Sequence, residues 1–296
     1  MKFFYSILFI LIGTSFSIHA QNDIPSTNIY LFEIDQENDT LFNFTNAKFL
    51  TNFNTDGYNN QPCFIRDNEL LFSARTAGQN QNDIYLLDLE KGTKLQITKT
   101  AESEYSPILM PDKFHFSSVR VELDDNGTQR LWRFPLSRQN NGKPVFDYLV
   151  DIGYHEWLDE RRIVLFIVGE PNYMVVADTR DGSTQHLASN IGRAFKKLPN
   201  GNLAYIHKAT ESTWFIKELD KTSLRSEIIV ETLAGAEDFA IMKNGTYLMG
   251  RGAKLFKFMP NQDEDWVEIG DFRDYNFSSI TRLAISGDGK LALVGG

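Results

Sequence analysis

The sequence contains one cysteine, Cys63, in 296 residues. No disulfide can form within such a chain, so its folded state must be held by packing and not by cross-links. Cys63 stands in the apolar stretch PCFI (62–65). A thiol in that setting is expected to be buried and unreactive rather than a catalytic nucleophile.

Positive charge is also scarce. The 30 Lys and Arg residues are outnumbered by 39 Asp and Glu, which gives a formal net charge of −9 at pH 7. A protein that binds nucleic acid needs a basic surface, and a protein that binds anionic lipid needs polybasic segments. Neither nucleic acid nor a lipid surface is therefore expected as a partner.

Recognisable catalytic and metal-binding motifs are missing as well. Residues 21–296 contain no G-x-S-x-G nucleophile motif. The segment 155–159 starts like the zinc-protease motif H-E-x-x-H, but it ends in Asp and has the pattern of a strand, whereas that site requires a helix. Two stretches, 52–57 and 124–127, resemble calcium loops but lack the glutamate that ends such a loop. The sequence thus predicts no catalytic residue, no metal ligand and no cofactor.

The N-terminal residues have the composition of an export signal. Lys2 is followed by the apolar run FFYSILFILIGTSF (3–16) and by small residues up to Ala20. This run is too short to span a bilayer comfortably, and the order of charge, apolar run and small residues is typical of a cleaved signal peptide. We expect residues 1–20 to be removed on export to the periplasm or the medium, leaving no membrane span. A retained membrane anchor is the alternative.

Six stretches of the chain share one pattern: an apolar run, a tight turn and a second apolar run. Their turns align on one Asp or Asn each, namely Asp67, Asp112, Asp159, Asn200, Asn244 and Asp288. The intervals between these residues are 45, 47, 41, 44 and 44. Asn and Asp favour turns because their side chains bond to nearby backbone groups. The chain therefore contains a structural repeat with a period in the forties.

Further β-rich runs follow the hairpins and complete a unit of four strands. The third runs are at 84–89, 130–134, 173–177, 214–219 and 254–259, and the fourth runs are at 94–98, 144–150, 184–188, 226–231 and 266–270. Short strands with turn signals and no helical periodicity predict an all-β fold. A period in the forties with four strands per unit is typical of a β-propeller.

The units at the two ends of the chain complement each other. The last hairpin, 283–295, lacks third and fourth strands, whereas NIYLFEI (28–34) and a run within 41–53 have that pattern without a hairpin before them. Pairing these segments closes a ring and removes exposed sheet edges. We therefore predict one domain over 21–296, a six-bladed β-propeller with four-stranded blades. Two separate β domains or an open array are the alternatives.

The repeat also resembles a known one. Residues 62–98, PCFIRDNELLFSARTAGQNQNDIYLLDLEKGTKLQIT, together with YSPILMPD (105–112) and SGDGK (286–290), resemble the TolB-like β-propeller repeat of bacterial envelope proteins. The resemblance is strong over 60–135 and 280–296 and weaker in between. It covers the propeller alone, because TolB carries an additional α/β domain before its propeller. The resemblance implies an exported propeller that binds an envelope or extracellular partner.

A candidate site follows from the predicted architecture. The first strand of each propeller blade lines a central channel, and these strands all start at one mouth, where the loops are longer than the turns on the opposite face. The candidate ligand-binding residues are mostly at the strand starts: Asn60, Gln61, Tyr105, Arg120, His155, Glu156, Arg193, Glu237, Asp238 and Arg282. The alternative is that these polar residues only solvate the channel and pair among themselves.

Two functions fit this expectation. The first is a non-enzymatic exported protein that binds a protein, peptide or glycan partner at the channel mouth. The alternative is a metal-dependent hydrolase or lactonase of the six-bladed class, in which carboxylates and amides hold a divalent ion as a Lewis acid. Such a site would use Asn60, Glu156, Glu237 and Asp238. Neither the ligand nor the oligomeric state follows from the sequence.

Overall fold

Short antiparallel strands account for nearly all regular structure. The computed structural model describes residues 25–39 and 41–296, and in them the chain forms 24 β-strands and one 3₁₀ helix. The predicted signal peptide, 1–20, lies outside the described residues. Within them, no helix has the length and apolar character needed to cross a bilayer.

The strands are numbered in chain order. Their bounds are β1 (Asn28–Gln36), β2 (Phe42–Phe49), β3 (Tyr58–Arg66), β4 (Glu69–Arg75), β5 (Asp83–Asp88), β6 (Thr93–Gln96), β7 (Ser103–Leu109), β8 (His115–Val121), β9 (Gln129–Pro135), β10 (Lys143–Pro144), β11 (Ile152–Trp157), β12 (Arg162–Ile167), β13 (Tyr173–Asp178), β14 (Thr184–Ser189), β15 (Ile191–Lys197), β16 (Leu203–Lys208), β17 (Trp214–Leu219), β18 (Ser226–Glu231), β19 (Phe239–Ile241), β20 (Tyr247–Arg251), β21 (Lys254–Phe258), β22 (Val267–Asp271), β23 (Ile280–Ile285) and β24 (Lys290–Gly295). The 3₁₀ helix covers Arg273–Tyr275.

The strands form six four-stranded sheets, and each sheet is one blade of a propeller. Blades one to five each use four consecutive strands, beginning with β3, β7, β11, β15 and β19, and the order in blade six is β23-β24-β1-β2. The first strands of neighbouring blades contact each other around the whole ring. The predicted all-β, six-bladed fold is confirmed.

Blade six combines both ends of the described chain. Strand β24 lies between β23 and β1, and it pairs with β1 from Asn28 opposite Gly295 to Glu33 opposite Lys290. Phe32, Leu291 and Leu293 are fully buried in the layer between blades five and six. The predicted closure by the C-terminal hairpin and the N-terminal strands is therefore present.

The core consists of apolar layers between neighbouring blades. Leu70 and Phe72 of β4 pack against blade six, whereas Leu71 between them packs with Phe116 and Phe134 of blade two. Successive side chains of a strand point to opposite faces, and here both faces are covered by a neighbouring blade. This is why the strands are apolar at consecutive positions rather than at alternate ones.

The predicted turns join the first and second strands of the blades. The side-chain oxygen of Asn200 accepts a hydrogen bond from the backbone N–H of Asn202 at 2.9 Å, and Asn244 accepts one from Thr246 at 3.1 Å. Gly245 follows Asn244 with a φ of 90°, which a residue with a Cβ rarely adopts. Local side-chain chemistry therefore sets these hairpins.

The fourth strand of blade two differs from the prediction. The sequence predicts a strand over 144–150, whereas β10 consists of Lys143 and Pro144 alone. Proline has no N–H to donate to a β-ladder. Val145 donates one further backbone bond, to the carbonyl of Leu131 at 2.8 Å, and the pairing then ends.

Candidate ligand-binding site at the channel mouth

The first strands of the six blades line the central channel. Each of them runs from one face of the ring to a hairpin turn on the other face. We call the face at which they start the mouth. The loops between second and third strands and the connections between blades lie on this same face, so side chains from all six blades meet there.

Aromatic and basic side chains from several blades converge at the mouth. The rings of Tyr58 and Tyr105 lie 6.3 Å apart in an edge-to-face arrangement. Arg282 Nη2 donates a hydrogen bond to the Tyr154 hydroxyl at 2.9 Å, and this bond crosses the channel from blade six to blade three. Burial raises the pKa of Tyr58, although the positive charges of Arg282 and Arg193 oppose that effect. The Tyr58 hydroxyl therefore stays protonated and able to donate.

The carboxylate of Asp238 lies between two basic side chains. Its oxygens are 3.7 Å from Arg282 Nη1 and 3.8 Å from Lys196 Nζ. Both distances are too long for hydrogen bonds. The close contact of this carboxylate is with the backbone N–H of Phe239, at 2.9 Å. Asp238 therefore lowers the positive charge of the site without engaging either cation directly.

The neighbouring Glu237 is held by a different cation. Lys208 Nζ lies 2.7 Å from its carboxylate, whereas Arg193 Nε lies 3.8 Å away. Arg193 also makes a long bond of 3.5 Å to the carbonyl of Thr281. The guanidinium of Arg193 is therefore held only by long contacts, and about a third of its side chain is exposed.

His155 faces blade two. Its Nε2 lies 2.6 Å from Ser117 Oγ, and the same Oγ accepts a hydrogen bond from Trp157 Nε1 at 2.9 Å. Burial lowers the pKa of His155 to about 3. The imidazole is therefore a neutral part of the channel wall at physiological pH.

A small cavity of about 60 Å³ lies in the channel at this level, and we call it the upper chamber. Five of the predicted site residues line it: Gln61, His155, Arg193, Asp238 and Arg282. Gln61 Oε1 accepts the backbone N–H of Ser106 at 2.9 Å, which links blades one and two at the chamber wall. The structure thus brings half of the predicted set to one place.

Glu156 lines a separate cavity of about 180 Å³ further along the channel, together with Cys63, Lys196 and Lys197. Burial raises the pKa of Glu156 to about 7, against the effect of the two lysines. Burial also raises the pKa of Cys63 to about 11, so the thiol is protonated at neutral pH. The sequence predicts a buried thiol, whereas the structure leaves Cys63 half-buried at the channel wall.

The other predicted residues lie near the mouth but outside the upper chamber. Asn60 accepts the backbone N–H of Gln61 at 2.8 Å, and Tyr105 is bonded through its hydroxyl to Asn82. Glu237 lines a neighbouring cleft. These residues surround the chamber and do not enter it.

Arg120 lies inside blade two. Its Nε is 2.9 Å from the carboxylate of Glu104, and the two side chains are 5% and 0% exposed. Its guanidinium also stacks over the Trp132 ring at 3.9 Å. A buried carboxylate requires a counter-charge, and Arg120 supplies one to Glu104. The structure therefore does not place Arg120 with the other candidate residues.

The four residues of the metal-dependent alternative are not brought together. Glu237 pairs with Lys208, Asp238 faces Arg282, and Glu156 lies in the other cavity. Over residues 25–39 and 41–296, no three His, Cys, Asp or Glu side chains converge in a way that could hold a metal ion. Each of these carboxylates lies near a lysine or an arginine instead.

Sequence reasoning missed several residues of the site, among them Tyr154. The alternation of side chains along β11 offered a signal, because it places Tyr154 and Glu156 on one side of the strand and His155 and Trp157 on the other. For Tyr58 and Lys196 no local signal exists, because these residues come close to the site only when the six blades assemble into the closed propeller.

Known structures share this architecture, although no family model and no curated protein matches the sequence. A structure from Agrobacterium tumefaciens that is described as TolB matches with a TM-score of 0.67 at 12% identity, covering 92% of this chain and 98% of that one. TolB from Acinetobacter baumannii matches with a TM-score of 0.57 at 15% identity, covering 90% of this chain and 64% of that one. The chain has the TolB-like propeller fold.

The TolB-like fold is not confined to proteins called TolB. A structure described as a gluconolactonase matches with a TM-score of 0.61 at 11% identity, covering 89% of this chain and 97% of that one. At such identities the likeness concerns the fold alone, and one fold hosts unrelated functions. The function of this TolB-like propeller must therefore be argued from its own channel residues.

Proposed function

We propose that this protein is an exported, non-enzymatic β-propeller that binds a protein, peptide or glycan partner at its channel mouth. The observation that carries the proposal is the convergence of weakly engaged polar side chains from different blades. Arg193 makes only long contacts to Glu237 and Thr281, although its side chain is two-thirds buried. Side chains that only solvated a channel would be expected to satisfy one another at short distances.

The hydrolase alternative receives less support from the same residues. A metal that acts as a Lewis acid needs several oxygen or nitrogen ligands around one point. The candidate carboxylates Glu156, Glu237 and Asp238 instead lie apart, each with lysine or arginine nearby. Metal analysis of the purified protein tests this directly, because stoichiometric calcium or zinc would favour the hydrolase.

Export is the second part of the proposal. It is supported by the order of Lys2, apolar run and small residues within 1–20. Mass spectrometry of the protein isolated from its native cells should find Gln21 as the N-terminal residue. A membrane-bound species that still begins at Met1 would contradict the proposal.

Binding is tested by affinity capture with variants of one mouth arginine and one control arginine. Arg193→Ala removes the least engaged cation of the mouth, and Arg225→Ala removes an exposed arginine in the turn between β17 and β18, on the opposite face. Loss of an interface hot spot costs about 2 kcal/mol or more. We expect the wild type and Arg225→Ala to capture the same partner, and Arg193→Ala to recover at least tenfold less.

Thermal melts control for folding. Arg225→Ala, at an exposed position, should melt as the wild type does. Arg193→Ala should shift the transition little, because the two-thirds-buried Arg193 is held only by long contacts. Equal recovery of every partner by wild type and Arg193→Ala would show that the mouth does not bind. The polar residues would then only solvate the channel.

A further inference from the structure

Three residues that line the upper chamber each have one buried polar atom without a hydrogen-bond partner among the described residues. These atoms are Ser106 Oγ, His155 Nδ1 and Arg193 Nε. Ser106 and His155 are only 8% and 3% exposed. Buried polar groups in folded proteins are almost always hydrogen-bonded. Three such atoms on residues that line one cavity therefore favour a polar occupant there.

The charge of the wall indicates the sign of that occupant. Arg193, Lys196 and Arg282 contribute three positive charges and Asp238 one negative charge, which leaves a balance of +2 among the lining residues. Glu237 lies 3.8 Å from Arg193 Nε, but Lys208 pairs with it at 2.7 Å, so these two neighbours do not change the balance. His155 adds none, because burial keeps its pKa near 3. The chain as a whole carries −9. A basic chamber inside an acidic protein favours an anion.

The chemistry of the free donors favours a carboxylate. The planar guanidinium of Arg193 can present two parallel N–H groups to the two oxygens of a carboxylate, and its Nε–H is among the unpaired atoms. The Ser106 hydroxyl is a second unpaired donor at the same wall. A neutral ligand would leave the excess positive charge of the chamber uncompensated.

The size of the chamber restricts what carries the carboxylate. A cavity needs a volume of about 10–15 Å³ for each water molecule that it holds. The chamber, with a volume of about 60 Å³, therefore holds roughly four to six groups of the size of a water molecule. A carboxylate with its neighbouring carbon atoms fits, whereas a whole pyranose ring with its hydroxyl groups does not. The occupant is therefore the end of a chain and not the middle of a glycan.

A cleft next to the chamber offers a path for the rest of such a chain. It has a volume of about 250 Å³ and shares Arg193 and Asp238 with the chamber. Gly235 and Gly252 form part of its wall, and there is open space where a Cβ would stand at either position. Glycines of this kind leave backbone groups accessible to an extended peptide.

We infer that the upper chamber binds the C-terminal carboxylate of an extended peptide, with Arg193 and Ser106 as donors and the preceding residues along the cleft. Capture of a chain terminus by oriented donors is a known mode of peptide recognition. The inference rests on the proposed function and specifies the ligand that the mouth takes.

Equilibrium dialysis of the full-length protein with three labelled probes tests this inference. The probes are a mixed pool of N-acetylated octapeptides with free C-termini, the same pool with amidated C-termini, and a tetrasaccharide that contains glucuronic acid. We expect the free-acid pool to be retained at least tenfold more than the amidated pool. Added salt should weaken retention of the free acids more than that of the amides.

Two substitutions at one position separate charge from geometry. Arg193→Gln should abolish the preference for the free acid, whereas Arg193→Lys should keep part of it, because lysine retains the charge but not the guanidinium fork. Arg225→Gln, on the opposite face, should behave as wild type. The comparison of acid and amide on the wild-type protein does not depend on how any variant folds.

The possible outcomes distinguish the inference from the proposed function. Equal retention of acid and amide pools, lost in Arg193→Gln, would overturn carboxylate capture and leave peptide binding at the mouth. Retention of the tetrasaccharide alone would overturn the peptide and leave a glycan partner. Retention of no probe above the level of Arg193→Gln would overturn the inference, and the capture experiment would then decide the proposed function separately.

Discussion

Arg282 and Tyr154 are joined by a 2.9 Å hydrogen bond although they stand on opposite blades of the ring and 128 residues apart in the sequence. The bond crosses the channel, so the channel is not an open pore at this level. It also orients the guanidinium of Arg282 beside Asp238 at the wall of the upper chamber. One hydrogen bond thus connects blade three with blade six and positions a side chain of the candidate site.

Replacing Tyr154 should measure how much its hydrogen bond with Arg282 contributes to stability. Tyr154→Phe removes the hydroxyl and leaves the ring in place, so Arg282 loses an acceptor. A hydrogen bond to a charged group contributes about 1.5–3 kcal/mol, and we expect the free energy of unfolding to fall by about that amount in urea denaturation. Tyr275→Phe is the control, because the structure gives the Tyr275 hydroxyl no hydrogen bond within the described residues. Equal stability of the two variants would mean that the cross-channel bond does not form in solution.

Ring closure predicts that the last strand is part of the core and not a tail. Leu293 of β24 is fully buried, whereas Leu123, in a loop of blade two, is 73% exposed. A buried leucine replaced by alanine typically costs 2–5 kcal/mol. We expect that loss for Leu293→Ala and a change within about 0.5 kcal/mol for Leu123→Ala, measured by urea denaturation.

Removal of residues 285–296 is the stronger form of the same test. It deletes β24 and leaves β1 as an open edge against the rest of the ring. Exposed edges promote aggregation, so the truncated protein should be insoluble or misfolded. A truncated protein with an unchanged melting transition would contradict closure by this strand.

The sequence was informative wherever the cause of a structure is local. The turns at Asn200 and Asn244 follow from side chains that bond nearby backbone groups. The ring closure is a long-range contact, but the repeat made it predictable, because each end segment has half of the four-strand pattern. The sequence was less informative about which mouth residues meet. Arg120 has the same charge as Arg193, but it stands directly opposite Glu104 in the β7–β8 hairpin and pairs with it inside blade two. The register of that hairpin could have excluded Arg120 from the candidate site. Channel contacts join residues from different blades, so no local pattern specifies them.

The pKa of Glu156 predicts a pH dependence of stability. In the unfolded chain this carboxyl group releases its proton near its ordinary pKa of 4.5, whereas in the folded protein it keeps the proton up to about pH 7. Between these values the folded state binds more protons, so its stability falls as the pH rises. Ionised Glu156 is therefore destabilising above pH 7.

Glu156→Gln removes this ionisation and still accepts the hydrogen bond from the Trp157 backbone N–H. We expect the variant to match the wild type at pH 4 and to exceed its free energy of unfolding at pH 8 by on the order of 2 kcal/mol. Glu160→Gln, at an exposed position in the same blade, is the control and should show no such difference. The prediction is wrong if Glu156→Gln gains nothing between pH 4 and pH 8.

Arg120 should be structural, in contrast to Arg193. Replacing it with methionine keeps much of the side-chain volume but leaves the carboxylate of Glu104 buried without its counter-charge. Breaking a buried ion pair by removing one partner typically costs 3–5 kcal/mol. Burial raises the pKa of Glu104 to about 7, so the loss is expected in urea denaturation at pH 8, where the wild-type carboxylate is ionised, and should be smaller at pH 5, where Glu104 is protonated. Arg161→Met should lose less than about 1 kcal/mol, because Arg161 is 48% exposed in its pair with Asp178.

A double variant separates the loss of charge from the loss of packing. In Arg120→Met combined with Glu104→Gln the unpaired carboxylate is gone, so much of the stability should return.

Retention of the peptide probes by the folded Arg120→Met protein should equal that of the wild type, because Arg120 lies within blade two and not at the upper chamber. A loss of retention in Arg120→Met without a loss of stability would instead place this arginine in the binding site. A double variant as unstable as the single one would mean that the stacking of Arg120 on Trp132, and not its charge, stabilises the blade.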